Sequence, residues 1–155
     1  MEIQKVKIEP FMMIGIETRT INKGNVAKEK IGGLWQRLLN EKLIDQIPNK
    51  EDNSIYSVYC EYEGDHTKPY TTILGCKVNS LSSIPEGMVG KSFDGGTYIK
   101  STTKGDLMEE IVINHWVNIW QSDWDRAYSA DFEVYGEKAQ NPKDAEVEFY
   151  VAINE

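Results

Sequence analysis

From Phe11 to Thr20 the chain is rich in apolar and β-branched residues. Pro10 bounds it on one side and the turn cluster Asn22-Lys23-Gly24-Asn25 on the other, which predicts a strand. Over residues 26–47 the apolar period changes. Ile31, Leu34, Trp35, Leu38, Leu39 and Leu43 fall on one stripe with charges opposite, the spacing of an amphipathic helix that Pro48 would end. Gly32 and Gly33 lie inside it, each costing about 1 kcal/mol against Ala, and predict close packing on a sheet. Residues 55–63 alternate, with Tyr56, Val58, Cys60 and Tyr62 against Ser57, Tyr59, Glu61 and Glu63. After a Gly64-Asp65 turn, residues 70–78 alternate again, which predicts antiparallel neighbours.

The pattern then runs a second time. A small-residue linker at 80–90 leads to a strand at 91–101 interrupted by Gly95-Gly96, and 102–105 reads as a turn. Asp106 and Glu109 have the spacing of a capping box. Met108, Ile111, Val112, His115, Trp116, Ile119 and Trp120 follow on or near one helix face, and 131–135 and 146–153 read as the last two strands. Strand, helix, strand, strand occurs twice, over about residues 10–78 and 90–153. This predicts an α+β fold of two β-α-β-β repeats, with an antiparallel sheet, two long helices and a seam that can bury a ligand. A chain of 155 residues fits one domain, with repeats at about 8–79 and 88–155.

Charge narrows the partners. A formal net charge of -8 and a pI near 4.9 argue against direct nucleic-acid binding, which draws its affinity from Lys and Arg contacts to phosphate. No apolar run reaches the roughly 20 residues of a membrane helix, and the first residues do not form a secretory leader, so a cytoplasmic protein is expected. Cys60 and Cys76 have no CxxC spacing and no neighbouring His. They read as reduced strand cysteines, with a link between adjacent strands as the alternative. Two distant histidines give no zinc spacing, and no nucleophile elbow, P-loop or dinucleotide fingerprint is present. No metal, cofactor or catalytic triad is expected.

The closing strands carry the candidate chemistry. Period two places Val147, Phe149, Val151 and Ile153 on one face, packed on the helices, and Glu146, Glu148, Tyr150 and Ala152 on the other. The same rule turns Phe132 and Val134 inward and sets Asp131, Glu133 and Tyr135 beside Glu148 and Tyr150. Such a face is either the solvated side of an antiparallel sheet or an aromatic box with an acidic floor, fit for a flat organic cation. Tyr59, Tyr98, Trp116, Trp120 and Trp124 are available to complete the box. Trp116 and Trp120 lie four apart on one side of a helix, where core packing is the plainer reading. His115 reads as a hydrogen-bonded structural residue and His66 as a solvated turn residue.

The order of PFMMIGIETRT, GLWQRL, YSVYCEYEG, FDGGTYIKSTTKG, INHWVNIWQSDW, DFEVYGE and AEVEFYVAI resembles the gyrase-inhibitor-like effector-binding domain family. That domain ends many AraC- and MerR-type multidrug regulators and also occurs free-standing. The chain is most similar to the stand-alone integron-associated effector-binding proteins. The resemblance implies two β-α-β-β units related by pseudo-two-fold symmetry, with drugs or dyes stacked on aromatics near an acid between them. Carried onto this chain, Glu148 and Glu133 are the candidate acids, and Tyr98, Trp116, Tyr135 and Tyr150 the candidate walls. Two departures bear on the pocket rim. The second helix ends Trp120-Gln121-Ser122 where many relatives have Trp-Leu-Pro, and Ala152 stands where Pro is common. The implied function is a receptor for a lipophilic or aromatic cation. The alternatives are a hydrolase of reactive small molecules, with Glu148 activating water and a Tyr donating a proton, and a gyrase-inhibiting interaction protein. Many relatives carry a helix-turn-helix ahead of this domain. This chain opens on its first strand, so a role in transcription implies a partner protein that reads DNA.

Overall fold

A computed structural model describes all 155 residues. In chain order the elements are β1 (Gln4–Ile8), β2 (Phe11–Thr20), α1 (Val26–Asn40), β3 (Ile55–Cys60), β4 (Tyr70–Val78), β5 (Val89–Phe93), β6 (Gly96–Gly105), α2 (Ile111–Trp120), β7 (Ala130–Tyr135) and β8 (Ala145–Ala152). The strands make one eight-stranded sheet in the order β1-β6-β8-β7-β3-β4-β2-β5. Every neighbouring pair is antiparallel. The order is symmetric about the β7–β3 seam. The outermost strands are exchanged between the halves: β1 precedes β2 but pairs with β6, and β5 precedes β6 but pairs with β2. The α+β fold with two helices on an antiparallel sheet is the one the sequence pattern predicts.

Several boundaries differ from that pattern, each for a local reason. β1 was invisible to apolar periodicity because its QKVKI sequence is an edge strand that keeps lysines on its margin. α1 stops at Asn40 rather than Pro48, because Lys42 turns left-handed (φ 51°) and Leu43–Gln46 forms a 3-10 turn. That turn still delivers Leu43 to the core beside Leu34 and Leu38, so the periodicity survives the break. β3 ends at Cys60, where Glu61 takes φ 53°. Residues 102–105 do not turn; they extend β6 along β8. Asp106 caps a 3-10 turn by accepting from the Met108 amide at 2.9 Å, and α2 starts only after left-handed Glu110. Gly32 and Gly33 do not abut the sheet; a Cβ on either would meet open space.

Both faces of the sheet are packed. On one, Leu34 and Leu38 of α1 cover Ile16 and Leu74, while Trp116 and Ile119 of α2 cover Val147, Phe149 and Val151. The other face has no helix and closes on itself. Phe11 of β2 and Phe132 of β7 are three strand spacings apart, about 14 Å in a flat sheet. Their ring centroids lie 5.3 Å apart, so the sheet curls to bring them together with Tyr98. Cys60 belongs to this second layer and Cys76 to the helix side; both thiols are free and buried.

One close approach depends on glycine. Gly15 and Gly75 face each other across β2 and β4, and a Cβ on Gly75 would collide with the backbone of Ile14 and Gly15. Backbone in a central strand pair cannot give way as a side chain can. Gly75→Ala is therefore expected to lose about 2–3 kcal/mol of stability, read as a lower urea midpoint at unchanged slope.

Candidate effector-binding cleft

The two helices stand apart above the β7–β3 seam, and between them lies a cleft of about 1490 Å³. Its walls are Trp35 from α1 and Trp116 and Trp120 from α2. Its floor holds Tyr59 of β3 with Glu133 and Tyr135 of β7. The helices reach the cleft with apolar residues left over from core packing. Leu34 and Leu38 fill the stripe of α1 that meets the sheet, while Ile31, Trp35 and Leu39 on its flank line the opening. Leu39 and, on α2, Ile113 are 57 % and 44 % exposed, more apolar surface than a helix on a finished core normally presents.

Glu133 is the chemical centre. It is 1 % exposed, its Oε2 accepts from Trp116 Nε1 at 2.6 Å and its Oε1 from the Tyr135 hydroxyl at 2.6 Å. The Tyr59 hydroxyl also bears on it. Burial pushes the carboxyl above its usual range, and the hydrogen bonds from Tyr135, Trp116 and Tyr59 oppose that shift. Burial, and then the adjacent carboxylate, hold the Tyr59 and Tyr135 phenols well above their normal values, so both stay protonated donors. All the groups acting on Glu133 are neutral donors; no basic side chain neutralises it. The rings around it are braced edge to face: Tyr59 on Trp116 at 5.3 Å, Trp116 on Phe149 at 5.4 Å and Trp35 on Tyr135 at 4.8 Å.

The register corrects the predicted faces. Glu133 pairs with Phe149 and Val134 with Glu148, so Asp131, Glu133 and Tyr135 look toward the helices, on the face opposite Glu148 and Tyr150. Alternation placed Val147, Phe149 and Val151 of β8 correctly under α2 but reversed β7, because Phe132 and Val134 belong to the self-closed layer on the far side. Thus Glu133, Tyr59, Trp116, Trp120 and Tyr135 come together in the cleft. Glu148 borders it from the far face, where it is a third exposed and engaged by Lys100 Nζ at 3.1 Å and the Tyr150 hydroxyl at 3.2 Å. Tyr150 stacks on Phe132 at 4.7 Å, and Tyr98 donates its hydroxyl to the Ala130 carbonyl at 2.8 Å; neither lines the cleft. His115 is structural, 2.8 Å from the Ser101 hydroxyl. His66 is not a solvated turn residue: its ring lies parallel to Trp120, 5.1 Å away.

A second polar group sits at the His66 end. Arg126 Nη2 donates to Asp131 Oδ2 at 2.7 Å, with side chains 5 % and 0 % exposed. The Tyr62 hydroxyl at 2.6 Å and the Ala152 amide at 2.8 Å complete the donors to Asp131. Trp35 is legible in the sequence only as one member of an amphipathic stripe. Asp131 carried a signal too, two residues before Glu133. Arg126, in the irregular segment between α2 and β7, carried none.

An aromatic cleft with an enclosed carboxylate, set between two helices on a sheet of symmetric strand order, defines an effector-binding module. A family model of integron-associated effector binding proteins matches residues 5–153, and the chain belongs to that family. It is 30 % identical over 145 residues to the "Putative transcriptional regulator protein YobU" of Bacillus subtilis (strain 168), covering 90 % of this chain and 89 % of that one. Among solved structures it is similar to an integron cassette protein from the mobile metagenome of Vibrio cholerae, with TM-score 0.72, 28 % identity and coverage of 98 % and 95 % of the two chains. The fold also matches SAV2435 bound to tetraphenylphosphonium, with TM-score 0.74, 17 % identity and coverage of 99 % and 94 %. It recurs in EcmrR, solved in complex with DNA, with TM-score 0.59 and 10 % identity, where it spans 58 % of that chain and 99 % of this one. No helix here is long and apolar enough to cross a membrane.

Proposed function

We propose that the cleft binds a lipophilic aromatic cation, and that the bound state is passed to the transcription machinery through a partner that reads DNA. The carrying observation is Glu133: a carboxylate enclosed by rings, held by neutral donors and without a cation of its own. Taking a carboxylate out of water is costly unless a charge meets it, and a ligand cation is the group that would meet it. Trp35, Trp116 and Trp120 offer the apolar body of such a ligand burial at about 25 cal/mol per Å², with cation–π attraction of about 0.5–2 kcal/mol per ring. Two likenesses support the reading: the tetraphenylphosphonium complex of SAV2435 for the cation, and the DNA complex of EcmrR for the link to transcription.

The test is an isostere pair. Biphenyl-4-yl-trimethylammonium and 4-tert-butylbiphenyl share shape and differ in charge, and tryptophan quenching reports either in a cleft walled by three of the four indoles. The cation is expected to bind at least about tenfold tighter, about 1.4 kcal/mol, a fraction of the attraction of about 4 kcal/mol between unit charges about 4 Å apart at an effective dielectric of 20. Equal affinity for the two would sink the reading.

A further inference from the structure

We propose that the cleft has a second pole, formed by Arg126 and His66, that takes an oxygen acceptor, so that its ligand is an organic cation carrying a carboxylate at the far end. This rests on the cleft being the effector site and adds the ligand's other half.

Arg126 lines the cleft with its side chain 95 % buried, yet only one of its nitrogens is served. Nη2 is held by Asp131, and the guanidinium carbon lies 4.3 Å from the Tyr128 ring centroid. Nε and Nη1 are both buried and meet no acceptor in the protein. Asp131 meets the guanidinium through Nη2 alone, and its other donors are the Tyr62 hydroxyl and the Ala152 amide. His66, also in the lining, is in the same condition: Nδ1 is buried without a partner while the ring rests on Trp120. Burial, and next the Arg126 charge, lower the His66 pKa, so at neutral pH the ring is uncharged and able to donate one N–H.

Buried donors without acceptors are rare in native structures, and two on one guanidinium, beside a His66 ring nitrogen that donates in one tautomer, are a recognition surface in want of its acceptor. Spacing gives the ligand its length. Asp131, which anchors Arg126, is two residues from Glu133 on the same face of β7, about 7 Å along the strand. The two poles therefore suit a rigid aromatic spacer lying along the seam past Trp116 and Trp120. Background charge works against an anionic group here, since the chain carries -8 and Glu133 shares the cavity. Any gain from adding a carboxylate must come from local donors.

The experiment compares two probes on the full chain by isothermal titration calorimetry at neutral pH. They are phenyltrimethylammonium and its analogue with a carboxylate at the para position, whose single ring matches the spacing of the two poles. The zwitterion is expected to bind at least about tenfold tighter, because a charge-assisted hydrogen bond is involved. Arg126→Gln should erase that gain. His66→Phe, which keeps the stack on Trp120, should reduce it at least about threefold and decides the matter alone if the Arg126 variant does not fold. A zwitterion that binds no tighter than the simple cation overturns the second pole and leaves the cation reading standing; water would then be the partner of these donors. A gain that persists in both variants also overturns it, since the carboxylate would lie elsewhere. If neither probe binds, the cation reading falls and this inference with it.

Discussion

Glu133→Gln is expected to lower affinity for biphenyl-4-yl-trimethylammonium about 30- to 100-fold while changing affinity for its neutral isostere less than about threefold. Two unit charges about 4 Å apart attract by about 4 kcal/mol at an effective dielectric of 20, and partial desolvation of the cation removes part of this. A net 2–3 kcal/mol corresponds to the stated range, at about 1.4 kcal/mol per factor of ten. The same carboxyl sets a pH dependence. Its pKa is raised, first by burial and against the hydrogen bonds from Tyr135, Trp116 and Tyr59. Below the raised value the site is neutral and binds cation and isostere more nearly alike. As pH rises through it the site becomes anionic, so cation affinity climbs and then levels off. Among the facing groups Tyr59 and Tyr135 are held above the normal phenol range, Tyr70 at about 12, and Trp116 does not titrate; His66 in the same cleft has a lowered pKa and gains a charge that repels the cation only at acid pH, in wild type and Glu133→Gln alike. Stability has the opposite sign. A raised acid contributes stability that is fully present below the unfolded value of about 4.3 and lost as pH rises through the folded one. Glu133→Gln should remove the Glu133 part of both curves, leaving in the binding profile only the acid-side contribution of His66. A variant that keeps the wild-type rise in cation affinity would show that another carboxylate carries the selectivity.

The fold was legible because its signals are local and redundant. The run from Tyr70 to Val78 alternates, is bounded by turns and is a strand end to end. The stripe through Leu34, Leu38 and Leu43 pointed to the core even where the helix carrying it broke. The cleft was only half legible, and β7 shows why. Alternation reports that two faces differ, and it tells them apart when one is wet. Residues 130–133 are buried on both sides, because the sheet curls until Phe11 reaches Phe132. Apolar Phe132 then marks the self-closed layer, and the carboxylate marks the helix side. Curl is a property of eight strands together, and no five-residue window contains it. The same limit hid Arg126, whose one partner, Asp131, is itself held by Tyr62 and Ala152 from two further segments.

Arg126→Ala is expected to cost about 3–5 kcal/mol of unfolding free energy, the largest loss among single polar substitutions in this chain. The mechanism is the charge left behind. Asp131 is 0 % exposed, and without Arg126 it keeps only the Tyr62 hydroxyl and the Ala152 amide as donors, neither of which carries charge. An uncompensated carboxylate in the interior is far costlier than the loss of one contact. The exposed pair of Arg19 and Glu63 has a similar separation, 2.8 Å, but water solvates both partners, and breaking it should cost no more than about 1 kcal/mol. The contrast separates the two accounts of Arg126. If the guanidinium mattered chiefly through packing on Tyr128, Arg126→Met would restore most of the stability, since its stem fills similar space. If the stranded charge dominates, Arg126→Met stays within about 1 kcal/mol of Arg126→Ala. Adding Asp131→Asn to it should then recover at least about 2 kcal/mol, because the amide oxygen still accepts from Tyr62 or Ala152 and no net charge remains. Urea unfolding of the wild type and these variants at neutral pH yields the coupling directly. A double variant no more stable than Arg126→Met would show that Asp131 is not destabilised by losing its partner. The pair would then owe its place in the fold to the ligand that Arg126 meets rather than to the stability it gives the empty chain.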